Sequence, residues 1–369
     1  MNSKKWFTAI LIMTIATLAL AAGLVFFVDP FFHYRAPNPK LFYRLYDQRS
    51  QNDGITRNFD YDAIITGTSM AENFKASQFE DGLGVKVIKV PYSGATYKEI
   101  NDNLIAAFKS GHNPKYVLRP LDYSLLLRDK DEMRDDMGDY PYWLTDDIVY
   151  NDVNYLLNKD VILRYAIPAV LSYFQGKNPG YTSFDEYSYT DGDNKYGKDY
   201  VLVGKKEFKE PESTELWFLT SEEEEMLEGN IEQNVVSLAR KHPETTFLYF
   251  FPPYSMVYWG GLYEEGMLDK ILEYKRKAIE LMLECDNIHI YSFTTHTDIT
   301  ADLSRYRDQA HYDYEVNAFV MDTIINYENG YENTDMFEVS DRITRENVVE
   351  YLTTESLLLN NFDYNSLTK

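Results

Sequence analysis

Residues 6 to 28, WFTAILIMTIATLALAAGLVFFV, are uncharged and mostly apolar, and they follow Lys4 and Lys5. At ~1.5 Å per residue a helix of that length reaches across a bilayer, so the pattern predicts a membrane helix. A cleaved signal peptide is the competing reading, because Ala19-Leu20-Ala21 has the small-x-small form that a peptidase cuts. The apolar run continues through Val28, longer than a signal core needs, and this favours a retained anchor over residues 1–35. Lys4, Lys5 and the terminal amine face Arg35, Lys40 and Arg44 across the run, so the positive-inside rule leaves its orientation open.

From residue 61 the period changes. YDAIITG (61–67), VKVIKV (85–90), KYVLRPLDY (115–123), TFLYFFPPYS (246–255) and IHIYSF (288–293) are short apolar runs that predict buried strands. Between them MAENFKASQFE (70–80), TYKEINDNLIAAFKSG (96–111), SEEEEMLEGNIEQNVVSLARKH (221–242) and MLDKILEYKRKAIELMLEC (267–285) carry apolar residues at helical spacing. Strands separated by helices imply right-handed crossovers and a five-stranded parallel sheet, with ligands expected beyond its carboxyl edge. The alternation stops over 124–215, a Tyr-, Asp-, Asn- and Gly-rich stretch with one apolar helix candidate, VILRYAIPAVLSYF (161–174). That stretch reads either as a cap inserted in a 36–329 domain or as a surface excursion. Residues 330–369 have weaker periodicity and read as a packed or flexible tail.

Composition narrows the function. The 59 acidic and 36 basic residues leave a net charge of −23, which disfavours nucleic acid as a partner. Cys285 is the only cysteine, and the six histidines, at 33, 112, 242, 289, 296 and 311, include no pair at the i,i+4 spacing of a helical zinc site. No metal and no other cofactor is expected. His289 and His296 read as structural.

Gly67 breaks the first strand and places Thr68 and Ser69 at its carboxyl end. A hydroxyl nucleophile needs a base, a group to orient that base, and donors for the oxyanion. Asp308 and His311, three apart in LSRYRDQAHYDYEVNAF, come to one face of a turn or short helix and supply the first two. Ser69 alone would equally serve as a helix cap.

Gly67-Thr68-Ser69, Tyr92-Ser93-Gly94-Ala95 and Asp308-Gln309-Ala310-His311, in that order and at strand ends, resemble the blocks of the SGNH (GDSL-type) hydrolase superfamily. The resemblance covers roughly residues 58–329 without 124–215. It implies a three-layer α/β/α, flavodoxin-like fold with strand order 2-1-3-4-5, Ser69 as nucleophile, His311 as base and Asp308 as its orienting acid. It also implies an oxyanion hole from the N–H groups of Ser69 and Gly94. Where the family carries an asparagine donor this chain reads Pro120-Leu121-Asp122-Tyr123. A carboxylate cannot donate, so either Asp122 is turned away or protonated, or the donor is Ser124, Asn113 or a backbone N–H. Asp122, Tyr92 and Tyr254 are the candidate substrate contacts, the tyrosines, with Tyr258 and Trp259, as platforms for a sugar ring.

A membrane helix followed by Asp29-Pro30-Phe31-Phe32 and such a domain is similar to anchored bacterial members, among them DltD-like proteins and polysaccharide O-acyltransferases. The resemblance implies an ester-cleaving or acyl-transferring enzyme outside the cell, acting on a teichoic-acid-like polymer or exported polysaccharide, with a membrane-bound O-acyltransferase as a possible partner. A non-catalytic module binding a surface glycan or that acyltransferase is the alternative, motivated by Asp122 and the aromatic loops.

Overall fold

The computed structural model describes residues 3–134, 140–212, 219–331 and 340–369. Residues 135–139 and 213–215 of the expected cap, and 332–339 of the expected tail, lie outside the described residues. The chain forms two compact units, Met1–Asp60 with Asp135–Ser183 and Tyr61–Arg134 with Phe184–Lys369.

The second unit is a mixed α/β structure on one sheet. Its strands are β1 (Ala63–Gly67), β2 (Val87–Pro91), β3 (Tyr116–Pro120), β4 (Thr246–Phe251), β5 (Ile288–Ser292) and β6 (Arg342–Ile343), in the order 2-1-3-4-5-6. All neighbours are parallel except β5 and β6. Every residue of β1 and β2 is buried, which accounts for runs that, Lys89 apart, are apolar or β-branched instead of alternating.

The helices start where the side chains can satisfy the first N–H groups. Thr96 accepts from the Glu99 N–H at the head of Tyr97–Lys109, and Thr220 with Glu223 forms a capping box at the head of Ser221–Ile231. Two helices depart from the pattern. The predicted 221–242 helix has a π turn, Glu232–Val236, between the α segments Ser221–Ile231 and Ser237–Lys241. The predicted 70–80 helix is a single 3₁₀ turn, Ser69–Ala71, followed after a break by Ala76–Leu83. Lys89, buried in β2, holds that break: its ammonium donates to the carbonyls of Glu72 (2.6 Å) and Phe74 (2.9 Å).

The strand count and the tail differ from expectation. Arg342–Ile343 adds a sixth, antiparallel strand, and Val348–Asn361 is a helix that buries Tyr351, Glu355 and Leu359. Glu355 forms a fully buried ion pair with Lys275 (2.5 Å), whose ammonium also donates to Ser292 Oγ (2.7 Å). A charge on the buried face of a helix is invisible to hydrophobic periodicity, and so the described part of the tail was read as weakly patterned.

The first unit revises the domain boundaries. Residues 36–60 and 140–183 fold with the N-terminal helix, and the boundary expected at 35 is not where the chain divides. Gly180 donates to Leu41 O (2.9 Å) and Phe42–Tyr43 pairs with Gly180–Tyr181. The helix Gln48–Asn58 in this unit buries Gln51, Asn52, Asp53 and Thr56. Gln51 satisfies its own amide, donating to the carbonyls of Pro30 and Arg44 and accepting from the N–H groups of Tyr46 and Asp47. The N-terminal helix, Ser3–Val28, is long and apolar enough to cross a membrane, and only its last turn is buried, at Val25 and Val28. Asp29 ends it by accepting from the N–H groups of His33, Tyr34 and Arg35 and from Tyr155 OH (2.9 Å).

Candidate active site

The candidate residues converge at the carboxyl edge of β1 to β4. Gly67 lies opposite Pro91 in the ladder, and the Tyr92 N–H donates to Gly67 O (2.8 Å), so the turn after β1 runs beside the turn after β2. Gly67 has a φ of +144, and a Cβ there would meet the ring of Pro120 at 2.7 Å, so both backbone and space require glycine. Thr68 follows, its Oγ1 accepting from the Met70 N–H (3.3 Å) and capping the turn that begins with Ser69. Thr68, not Ser69, is the cap, which leaves the Ser69 hydroxyl free for other work.

Ser69 Oγ is 2.8 Å from His311 Nε2, across a sequence separation of 242. The histidine is held by a small hairpin: Tyr306 bridges Tyr312, Arg307 N–H donates to His311 O (3.1 Å), and Asp313 N–H donates to Arg305 O (2.8 Å). Three bonds moor that hairpin to the end of β4. Ser255 donates to Gln309 O from its N–H (3.0 Å) and its Oγ (2.9 Å), and Tyr306 OH donates to Pro253 O (2.7 Å).

Asp308 lies behind the imidazole, with Oδ2 2.8 Å and Oδ1 3.0 Å from His311 Nδ1. Its Oδ1 also accepts from the N–H groups of Ala310 (2.9 Å) and His311 (2.8 Å). Partial burial pushes this carboxyl up, but the hydrogen bond and charge of His311 and the two backbone donors outweigh it and bring it down to about 2. It is therefore ionised at neutral pH and fixes a proton on Nδ1, so that Nε2 can accept from the serine.

Gly94 adopts φ +62 in a turn closed by the Ala95 N–H on Tyr92 O (3.0 Å), and the Arg134 guanidinium, which donates to Gly94 O (2.7 Å), occupies the place of a Cβ. Among the described residues no hydrogen bond engages the N–H of Ser69 or that of Gly94. Both remain available to a developing oxyanion.

Asp122 and three of the expected ring platforms differ from expectation. Asp122 is buried, with Oδ2 accepting from Thr68 Oγ1 (2.8 Å) and Oδ1 from Tyr254 OH (2.6 Å), so the carboxylate is turned inward. Burial raises its carboxyl above the ordinary value, against the opposing pull of the two hydroxyls and of His311. Tyr92, Tyr254 and Trp259 are buried as well, because the rings fill the space under the site; Trp259, for example, packs edge-on against Tyr123. None of the three presents a face to a sugar. Asn113 precedes β3 and lies at the wrong end of the strand for an oxyanion donor, whereas Ser124 is exposed just after it.

His289 and His296 are paired with Glu328 (2.7 Å) and Asp341 (2.6 Å). The roles missed from sequence are those of supports: Lys89 behind the Ser69 turn, Thr68 and Tyr254 on Asp122, and Ser255 on the Gln309 carbonyl. Lys89 carries the one available signal, a lysine at the centre of a strand, Val-Ile-Lys-Val-Pro, whose other positions are apolar. No family model matches the chain, and searches of curated proteins and of solved structures return no significant match to it.

Proposed function

We propose that the chain is a serine esterase or O-acyltransferase of the SGNH type, built on a flavodoxin-like α/β/α core. The observation that carries the reading is the chain of hydrogen bonds from Ser69 Oγ through both nitrogens of His311 to Asp308. In this reading Ser69 attacks an ester carbonyl while His311 Nε2 takes its proton, and the N–H groups of Ser69 and Gly94 stabilise the oxyanion. His311 then protonates the departing alcohol, leaving an acyl-Ser69 ester, and water or an acceptor hydroxyl repeats the cycle in reverse. The half-buried serine and exposed Gly94 suit a carbonyl presented by a bulky substrate.

The retained N-terminal helix would hold the protein in the cell membrane with the catalytic unit outside. This supports acyl esters of a cell-surface polymer or exported polysaccharide as substrate and a membrane-bound O-acyltransferase as partner. The binding-module alternative drew on Asp122 and the aromatic loops; Asp122, Tyr92, Tyr254 and Trp259 are buried, which favours the enzyme reading, while Tyr258 is half-buried. Hydrolysis of a chromogenic acetyl ester by the full chain, wild type against Ser69→Ala, tests the proposal. The expected result is activity lost in the variant, and equal rates would defeat it.

A further inference from the structure

The first unit contains a helix whose apolar faces are reversed. Over Val161–Phe174 the residues turned into the protein include the small side chains Ala166, Ala169 and Ser172, three apart. The opposite face presents Leu163, Leu171 and Phe174 to the outside, the last 76% exposed, with half-buried Ile167 between them. Positions 167, 171 and 174 form one stripe on the α segment Ile167–Phe174, and Leu163 is exposed on the π segment Val161–Ala166 that leads into it. A helix packed against a water-exposed protein surface carries the opposite arrangement, large apolar residues inward and polar ones outward. Small inward and large outward is the arrangement of a helix that packs on protein and faces hydrocarbon.

Two neighbouring facts identify what covers the stripe. The N-terminal helix Ser3–Val28 packs in this same unit against Val153–Leu156 and Val161–Ala166, so the segment that carries the stripe rests against one long and apolar enough to cross a membrane. The turn before it is equally bare: Val149 is 79% exposed and Tyr150 84%. At 14 residues, or ~21 Å, Val161–Phe174 is too short to span a bilayer itself. Exposed Arg164, Tyr173 and Lys177 flank its apolar face with the residue types favoured at headgroup depth.

We propose that the 149–174 region is a second membrane contact, an amphipathic helix lying in the interface of the bilayer that the N-terminal helix enters. The inference rests on the reading of Ser3–Val28 as a retained membrane helix. Its occupant is lipid. The unit then acts as a collar gripping the membrane at two places, a transmembrane rod and an interfacial helix, which restricts rotation of the anchor in a way that one helix cannot.

The test uses the full chain with Cys285→Ser as background and single cysteines at Leu163, Leu171 and Phe174. Ile12 on the N-terminal helix serves as lipid control and Val349, exposed on the α/β unit, as water control. Each is labelled with nitrobenzoxadiazole and reconstituted in phosphatidylethanolamine–phosphatidylglycerol vesicles with and without acyl-chain nitroxide lipid. The inference predicts a loss of fluorescence at Leu163→Cys, Leu171→Cys and Phe174→Cys at least half that at Ile12→Cys, with none at Val349→Cys. Quenching at Ile12→Cys alone would overturn it while leaving the anchor intact, and would mean that water, a second copy or a partner protein covers the stripe. No quenching at Ile12→Cys would instead remove the anchor reading and the inference with it.

Discussion

Replacing Tyr254 with phenylalanine tests whether Asp122 is a buried carboxylate that positions the nucleophile's turn. Asp122 is 6% exposed, and each of its oxygens has one hydroxyl donor, Tyr254 OH at 2.6 Å and Thr68 Oγ1 at 2.8 Å. Tyr254→Phe keeps the ring and its packing, so no cavity opens and the loss is that of one hydrogen bond to a charged group, about 1.5–3 kcal/mol. Thr68→Val removes the other donor and also the cap on the Met70 N–H, worth ~1 kcal/mol more. The pH dependence has a defined sign. Because burial raises the folded carboxyl above the ordinary aspartate value of 3.8, the folded state binds the proton more tightly than the unfolded chain. Asp122 therefore detracts from stability above its folded value, and that penalty fades as the pH falls towards 3.8. Removing a donor raises the folded value further, so Tyr254→Phe should cost more at pH 7.5 than at pH 4.5. Urea unfolding of the full chain in detergent, followed by tryptophan fluorescence with Trp259 packed beside this cluster, reads both quantities. A cost below about 0.5 kcal/mol at pH 7.5, within the scatter of ordinary surface substitutions, or an equal cost at the two pH values, would refute the reasoning.

Asp308→Asn should lower ester hydrolysis by on the order of 10³–10⁴-fold, since the histidine loses its oriented tautomer, and should also lower the unfolding midpoint at pH 7.5, where the ionised carboxyl stabilises the fold. Its carboxyl is held at about 2 when folded, so its stabilising contribution is present above 3.8 and lost as the pH falls from there towards 2. Wild type should accordingly lose stability more steeply than Asp308→Asn over that window in acid titrations. Lys89→Met should slow ester turnover while leaving the sheet intact by circular dichroism, because the carbonyls of Glu72 and Phe74 behind the Ser69 turn lose their donor. Burial depresses the Lys89 amine to about 7, so wild-type stability should rise relative to Lys89→Met as the pH goes from 7 towards 10.5. Glu355→Leu should cost about 3–5 kcal/mol by stranding the Lys275 ammonium, and Lys275→Met with Glu355→Leu should recover most of it in thermal melts.

The parts of the fold legible in the sequence are those specified by local patterns. β1 to β5 are buried on both faces and read as apolar runs, and Tyr97–Lys109 carries its own cap and period. Ser69, Asp308 and His311 are legible as a candidate set because a hydroxyl nucleophile needs particular residue types beside it and the Asp-x-x-His spacing is local, although their meeting is not. What escaped depends on partners distant in sequence. Gln48–Asn58 buries its polar face by hydrogen-bonding Pro30 and Arg44, and Val348–Asn361 buries Glu355 against a lysine 80 residues away. That Asp122 is turned away is one of the alternatives the sequence offers, but its choice over a substrate contact is not legible, since the two hydroxyls that turn it inward lie 54 and 132 residues off along the chain. Tyr92 and Tyr254 follow strands, where ligand platforms often sit, but packing beneath the site claimed their rings.

The central claim is that Ser69 is a nucleophile activated by His311, and covalent trapping measures it most directly. The full chain is treated with a fluorophosphonate, which phosphonylates serines whose hydroxyl is activated by a base, and the adduct is mapped by peptide mass spectrometry. The account predicts a single adduct on the peptide containing Ser69, absent from Ser69→Ala and formed at least ~100-fold more slowly in His311→Ala, in keeping with the contribution of general-base catalysis. Labelling of Ser69 at the same rate in His311→Ala, or no labelling of folded wild type, would contradict it and leave the 2.8 Å contact without a chemical role.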